Sequence, residues 1–342
     1  MPKVLFSTEK YTDVDHPEWG GPVVHDYGVI GSLAASGMGT VARFHWDEFT
    51  KHNLEDDMGA ALVQKCEQSK PDMVFATHVL QYGEKNIKAE IYGHIRDELK
   101  IPVVVYWGES APDVVRHADL LAPHITLNLW TDTKAEWKRH TKFPEKCLRL
   151  FEPRDAALFT CSENDKRDIP ISFVGTTLNR LDRSLNLAFL WGRGLMYCKT
   201  GGYREAGLSI ADYVNILRRS VVTINFTSAV TFQHITGRTI EAALCGAMLL
   251  ESENGETPEL LDPYADYVPF REPFHWLDNG QIGLQDGGDF FDKALHYAYK
   301  KPEDARKIAE NGRKKVLEGC DGREFWAKLF EAVEINKEAK WK

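Results

Sequence analysis

Short apolar runs alternate with amphipathic stretches through the first half of the chain. Runs at 3–6, 40–44, 72–76, 101–106 and 125–129 are dense in Val, Ile, Leu and Phe and bounded by breakers, which predicts strands. Between them, 29–35, 54–68, 85–99 and 133–140 carry apolar residues at helical spacing. Strands alternating with helices imply right-handed crossovers and a mostly parallel sheet. A polar, irregular stretch at 151–170 breaks the pattern, which then restarts. Strands are expected at 171–174, 195–198, 221–225, 247–250 and 266–270, with helices at 185–190 and 211–217. The tail is helical at 290–299, 302–318 and 323–336. The chain therefore predicts two doubly wound α/β domains, 1–155 and 156–320, a C-terminal helix at 321–342, and a ligand cleft between the domains.

The segment 237–261 concentrates the signals of a site. Ile240, Ala243 and Leu244 share one helical face, and Gly246 stands where a helix-ending glycine belongs. A wholly apolar strand follows, then a polar loop at 251–257. Thr257, Pro258 and Glu259 read as the N-cap, first-turn proline and early acid of a further helix. Helix starts and strand ends thus meet around the loop, where open α/β sheets place ligands.

Composition narrows the classes. With 342 residues, 43% hydrophobic and 27% charged, the chain has the make-up of an ordinary soluble protein of two domains. No eighteen-residue apolar run or basic-then-apolar start occurs, so no membrane span and a cytoplasmic location are expected. Six scattered cysteines without a C-x-x-C pair suggest reduced thiols rather than disulfides or zinc. A net charge of −9 disfavours nucleic acid as a bulk electrostatic partner.

Some motifs carry little. Gly37-Met38-Gly39-Thr40-Val41-Ala42 matches a dinucleotide fingerprint but lies between a helix and a strand, the reverse of the required order. Asp13-Val14-Asp15 resembles a metal motif yet falls in an early loop, and His117 and His124 have no partner at metal spacing; no metal site is expected. Others sit where a ligand would be. Gly20 and Gly21 follow the first strand, and their backbone N–H groups suit a cleft edge. His78 and Glu109 also follow strands, which makes these four residues candidates for an acceptor, although Glu109 reads slightly better as a cap for a helix near Pro112. Gly175-Thr176-Thr177, with Arg180 and Arg183 behind, suits a diphosphate. Arg238 and Glu241, three apart, form either an intrahelical ion pair or a site in which Glu241 holds ribose hydroxyls and Arg238 neutralises a leaving phosphate.

The run 241–250, followed by Asn254-Gly255-Glu256-Thr257-Pro258-Glu259, resembles the donor-site signature of group-1, retaining glycosyltransferases. Arg238-Thr239-Ile240-Glu241 and Val222-Thr223-Ile224-Asn225 resemble most the spore-maturation CgeB-like branch. The likeness runs from 171 to about 318 and is thinner before 150. It implies a GT-B fold of two Rossmann-like domains, with a nucleotide-sugar donor, UDP- or GDP-linked, held by the second. It also implies no cofactor and no obligatory metal. Donor contacts then fall to Gly175, Thr176, Asn225, Glu241, Asn254, Gly255, Glu256 and Thr257, and catalysis to Arg238 and Arg180. The family's first acid is replaced by Gln233, with His234 as the substitute polar contact. The acceptor is open between a glycan, a protein, a small molecule and a modified DNA base. Two rival readings remain: a nicotinamide-dependent oxidoreductase, and a GT-B-like protein that binds a nucleotide sugar or glycan without transferring it.

Overall fold

The computed structural model describes residues 1–10, 24–51, 55–78, 86–108, 112–131, 140–162, 164–175, 177, 180–198, 208–227, 235–276, 281–284 and 286–335. The chain forms two compact units and passes from one to the other at Asp155 and Ala156. The helix predicted at 133–140 and the residues Asp13, Asp15, Gly20, Gly21, Glu109, Thr176, Gln233 and His234 lie outside the described residues, His140 excepted.

The first unit is built on β1 (Lys3–Thr8), β2 (Thr40–His45), β3 (Met73–Thr77), β4 (Val103–Trp107), β5 (Leu127–Trp130) and β6 (Cys147–Arg149). All six are parallel, in the order β2-β1-β3-β4-β5-β6. Every residue of β3 and β4 is buried, as the unbroken apolar runs of strands covered on both faces require. The edge strand β6 is too short to leave a period in the sequence and was not anticipated. Gly37 closes the helix Val29–Ser36 at φ 68°, its N–H donating to Ala34 O, and β2 follows, so the apparent dinucleotide fingerprint is a helix stop.

The C-terminal helix Gly322–Ala332 groups with the first unit, although the second unit stands between them in sequence. Its Phe325, Trp326, Leu329 and Phe330 are buried against the β1–β3 face. The Trp326 ring lies 6.0 Å from Phe6 and 5.9 Å from Phe75, and its indole N–H donates to Ser32 Oγ at 3.0 Å. Burying an indole with its one donor satisfied is what lets so large a side chain sit in a core.

The second unit, Ala156–Asp321, contains β7 (Ile169–Val174), β8 (Leu195–Cys198), β9 (Ser220–Asn225), β10 (Met248–Ser252) and β11 (Val268–Phe270). They are parallel, in the order β11-β10-β9-β7-β8. Phe173, Phe226, Phe270 and Phe290 interlock at its centre, with ring centroids 4.6–5.7 Å apart. A short antiparallel pair, β12 (Phe274–Trp276) and β13 (Ile282–Leu284), is additional to the predicted strands. Gly246, at φ +67°, ends the helix Gly237–Leu244; a Cβ there would stand 2.6 Å from the Arg167 guanidinium, which itself donates to Cys245 O at 2.9 Å. Among the described residues no helix is long and apolar enough to cross a membrane.

Candidate functional site

In the second unit the strand order reverses between β7 and β9: the chain leaves β7 toward β8 on one side and continues from β9 toward β11 on the other. Open parallel sheets form a ligand crevice beyond the carboxyl ends of two such strands. Here those ends are Gly175, which follows β7, and Asn225, which closes β9.

Arg238 bridges them. It stands in the first turn of Gly237–Leu244, where its Nη1 donates to Asn225 Oδ1 at 2.9 Å and its guanidinium lies 5.6 Å from the Phe173 ring centre. A Cβ on Gly175 would come within 3.1 Å of Arg238 Nη2 and 2.9 Å of Phe173 Cζ, so glycine is what leaves this approach open. Arg238 Nε is buried and, among the described residues, has no hydrogen-bond partner. A guanidinium fixed on one side and unsatisfied on another is a donor awaiting an acceptor.

Two more arginines meet it from the helix Leu181–Ala188 and its head. Arg183 is buried, with Nη2 donating to Phe226 O at 3.2 Å. Burial, then the charges of Arg180 and Arg238, lower its pKa to about 10, so it is still cationic at neutral pH. Arg180 differs: it makes a two-pronged pair with the buried Asp182, at 3.2 and 2.9 Å. Glu272 lies near the same pair, and burial, with Asp182 beside it, raises its carboxyl to about 7. Three guanidinium groups thus converge on the β7–β9 crevice, one of them already neutralised.

Glu241 and Arg238 take different partners. The Tyr213 hydroxyl, from helix Ile210–Arg219, donates to Glu241 Oε2 at 2.6 Å, and Glu241 is only 4% exposed. The polar loop is also rearranged relative to expectation. Glu251 and Ser252 belong to β10 and are buried, so the loop starts at Glu253. Four neighbouring donors make a fully buried carboxylate tolerable at that strand end: Asn225, Thr239 and Thr257 at 2.5–2.6 Å, and Asn254 at 3.5 Å. The helix expected from Pro258 is a single 3₁₀ turn, Thr257–Glu259. Thr257 does not cap it, because its hydroxyl goes to Glu251; Asn254 Oδ1 instead accepts from the N–H groups of Glu256 and Thr257 at 2.9 and 2.8 Å. Of these loop candidates, Asn254 and Gly255 keep partial exposure while Glu256 and Thr257 are buried.

The first unit has its own reversal, between β1 and β3. There Thr77 Oγ1 donates to Glu9 Oε2 at 2.8 Å, and His78 follows. His117 meets it Nε2 to Nε2 at 2.8 Å, with ring centres 4.7 Å apart. Burial, and then His117, lower the His78 pKa to about 3. A histidine depressed in the folded state binds protons better when unfolded, so its contribution to stability is present above about pH 6.5 and is lost as pH falls toward 3. Each pH unit in that window costs up to ~1.4 kcal/mol. Urea titrations at pH 7 and 5 should show a smaller loss of stability in His78→Gln than in the unsubstituted protein; equal losses would place the titrating group elsewhere. Among the described residues no three His, Cys, Asp or Glu side chains are grouped to hold a metal.

Sequence reasoning singled out Arg238, Arg180, Asn225 and Gly175 but missed Asp182, Glu251, Tyr213 and Glu272. The one signal for Glu251 was an acid directly after an apolar run, which reads as the start of a loop unless its partners are known.

The chain has the GT-B fold, as do the solved structures to which it is similar. A family model described as glycosyl transferase-like matches residues 176–331, just under half of the chain. No curated protein sequence matches it significantly. Among solved structures it is similar to HepE from Anabaena in complex with UDP and glucose, at 12% identity over 98% of this chain and 100% of that one, with a TM-score of 0.64. Sucrose-phosphate synthase from Thermosynechococcus elongatus aligns at 9% identity over 98% of each chain, TM-score 0.64. The catalytic domain of starch synthase IV from Arabidopsis thaliana, bound to ADP and acarbose, aligns at 9% over 97% of this chain and 99% of that one, TM-score 0.62.

Proposed function

We propose that the chain transfers a sugar from a nucleoside-diphosphate sugar to an acceptor, in the cytoplasm, with retention of configuration and without metal or other cofactor, as a member of the CgeB-like branch. The observation that carries this reading is Arg238, held across the β7–β9 crevice by Asn225 with a buried, unsatisfied Nε, beside a second buried arginine. Phosphate oxygens would complete that hydrogen bonding, and the leaving diphosphate would gain its negative charge against fixed cations. That two relatives of this fold were captured with UDP and ADP supports a nucleoside diphosphate as the ligand class. Glu241, oriented by Tyr213, would take the ribose, and Asn254 and Gly255 the sugar. The acceptor, a glycan, protein, small molecule or modified DNA base, would be held by the first unit near Glu9, Thr77 and His78. Its proton would pass to the departing phosphate, so that placement and electrostatics do most of the work.

The test is a panel of UDP-, GDP- and ADP-sugars scored by thermal shift and by release of the nucleoside diphosphate. A donor at a hundred times its dissociation constant stabilises the fold by ~2.7 kcal/mol. Release that persists in EDTA is expected. Release abolished by EDTA and restored by manganese would overturn metal independence, and no shift with any donor would overturn the reading itself.

A further inference from the structure

The Glu251 carboxylate, fully buried at the end of β10, touches no open surface, yet its contacts lead directly to Arg238. Oε1 accepts from Asn225 Nδ2 at 2.5 Å and from Thr239 Oγ1 at 2.6 Å; Oε2 accepts from Thr257 Oγ1 at 2.5 Å and Asn254 Nδ2 at 3.5 Å. Burial raises its carboxyl above the ordinary value, and those four donors oppose the rise. A carboxylate only accepts and a guanidinium only donates. Asn225 stands between the two, so a single orientation of its amide serves both: NH₂ toward Glu251, carbonyl toward Arg238. β9 and β10 set this geometry, since Asn225 and Glu251 are register partners.

We propose that Glu251 is a positioning residue that aims Arg238 at an anionic ligand through the Asn225 amide, holding the guanidinium in place without neutralising it. The comparison with Arg180 shows why an amide matters. Arg180 is held by a direct carboxylate, Asp182, and its charge is offset. Arg238 is held by a neutral carbonyl and the Phe173 ring, and its charge remains available to phosphate. An aspartate at 225 would either pair off Arg238 or share a proton with Glu251; the amide does neither. The inference rests on the donor reading above.

Calorimetry separates the two. UDP, GDP and ADP are titrated into the full chain, and the tightest is carried through the variants with its phosphate-free nucleoside as control. If none binds, the donor reading fails and the relay with it. Arg238→Ala is expected to weaken the diphosphate roughly ten- to hundredfold and leave the nucleoside unchanged. Glu251→Gln, whose amide competes for both faces of Asn225, should weaken the diphosphate about tenfold, again sparing the nucleoside. In an Arg238→Ala background, Glu251→Gln should add less than about twofold, because a residue acting through Arg238 has nothing left to act on. The same factor in both backgrounds, or equal weakening of nucleoside and diphosphate, would make Glu251 merely structural and overturn the relay. Should Glu251→Gln fail to fold, Asn225→Ala decides: unchanged diphosphate affinity in that variant also overturns it.

Discussion

Arg238→Ala is expected to lower turnover by roughly a hundredfold or more, with a smaller loss in donor affinity, since removing one preorganised donor to a developing negative charge typically costs 10²–10³ in rate. Three features make this the largest effect. Asn225 and the Phe173 ring fix the guanidinium before any ligand arrives, so little reorganisation accompanies the reaction. Its Nε has no partner among the described residues, so the hydrogen bond it offers is not already spent there. Gly175 leaves the approach to Nη2 uncovered. Arg238→Lys should recover little, because an ammonium is a point charge that cannot meet Asn225 and a phosphate in one plane. Initial rates against donor concentration, on variants checked for folding by thermal melts, provide the test. A Michaelis constant that rises while turnover holds would reassign Arg238 to ground-state binding.

Arg180→Ala should behave differently, losing stability before it loses chemistry. Asp182 is 2% exposed and has Arg180 as a two-pronged partner. Without that cation, Asp182 loses its two-pronged partner and keeps its charge near Arg183 and near Glu272, whose own carboxyl is already raised to about 7. Breaking a buried pair by removing one member costs 3–5 kcal/mol; with Arg180 partly exposed, the lower end, about 3 kcal/mol in urea unfolding at pH 7, is expected. The pH dependence follows from the direction of the shift. A carboxyl raised in the folded state penalises folding above its unfolded value, and the penalty lifts as pH falls through the raised one. The gap between variant and parent should therefore narrow from pH 8 to pH 5. A variant as stable as its parent but slow in turnover would mean that Arg180 faces the ligand and that Asp182 is satisfied elsewhere.

These two arginines mark the limit of what the sequence made legible. Each was visible as a guanidinium near a strand end, but sequence distance did not separate them. Arg180 finds its carboxylate two residues away, on a helix whose burial the sequence does not reveal. Arg238 finds its amide thirteen residues back, at the end of β9. The parallel strands were readable because strands covered on both faces must be apolar throughout, as β3, β4 and the start of β10 are. The end of β10 was not, because Glu251 breaks that rule and is tolerated only through partners from three other segments. The helix Gly322–Ala332 showed its amphipathic period but not its destination, since periodicity identifies an apolar face without saying what covers it.

That destination affects how the chain is made. Domains generally fold in the order they leave the ribosome. Here the sheet of the first unit emerges early, but the face formed by Phe6 and Phe75 lacks part of its cover until Trp326 arrives. Everything between Ala156 and Asp321, a unit with its own sheet and core, is synthesised in the interval. The later unit is thus free to fold first, while the earlier one waits with an apolar surface open to water, chaperones or neighbouring nascent chains. Closing it requires one of the most distant pairings in the molecule, Trp326 to Ser32, across 294 residues of sequence.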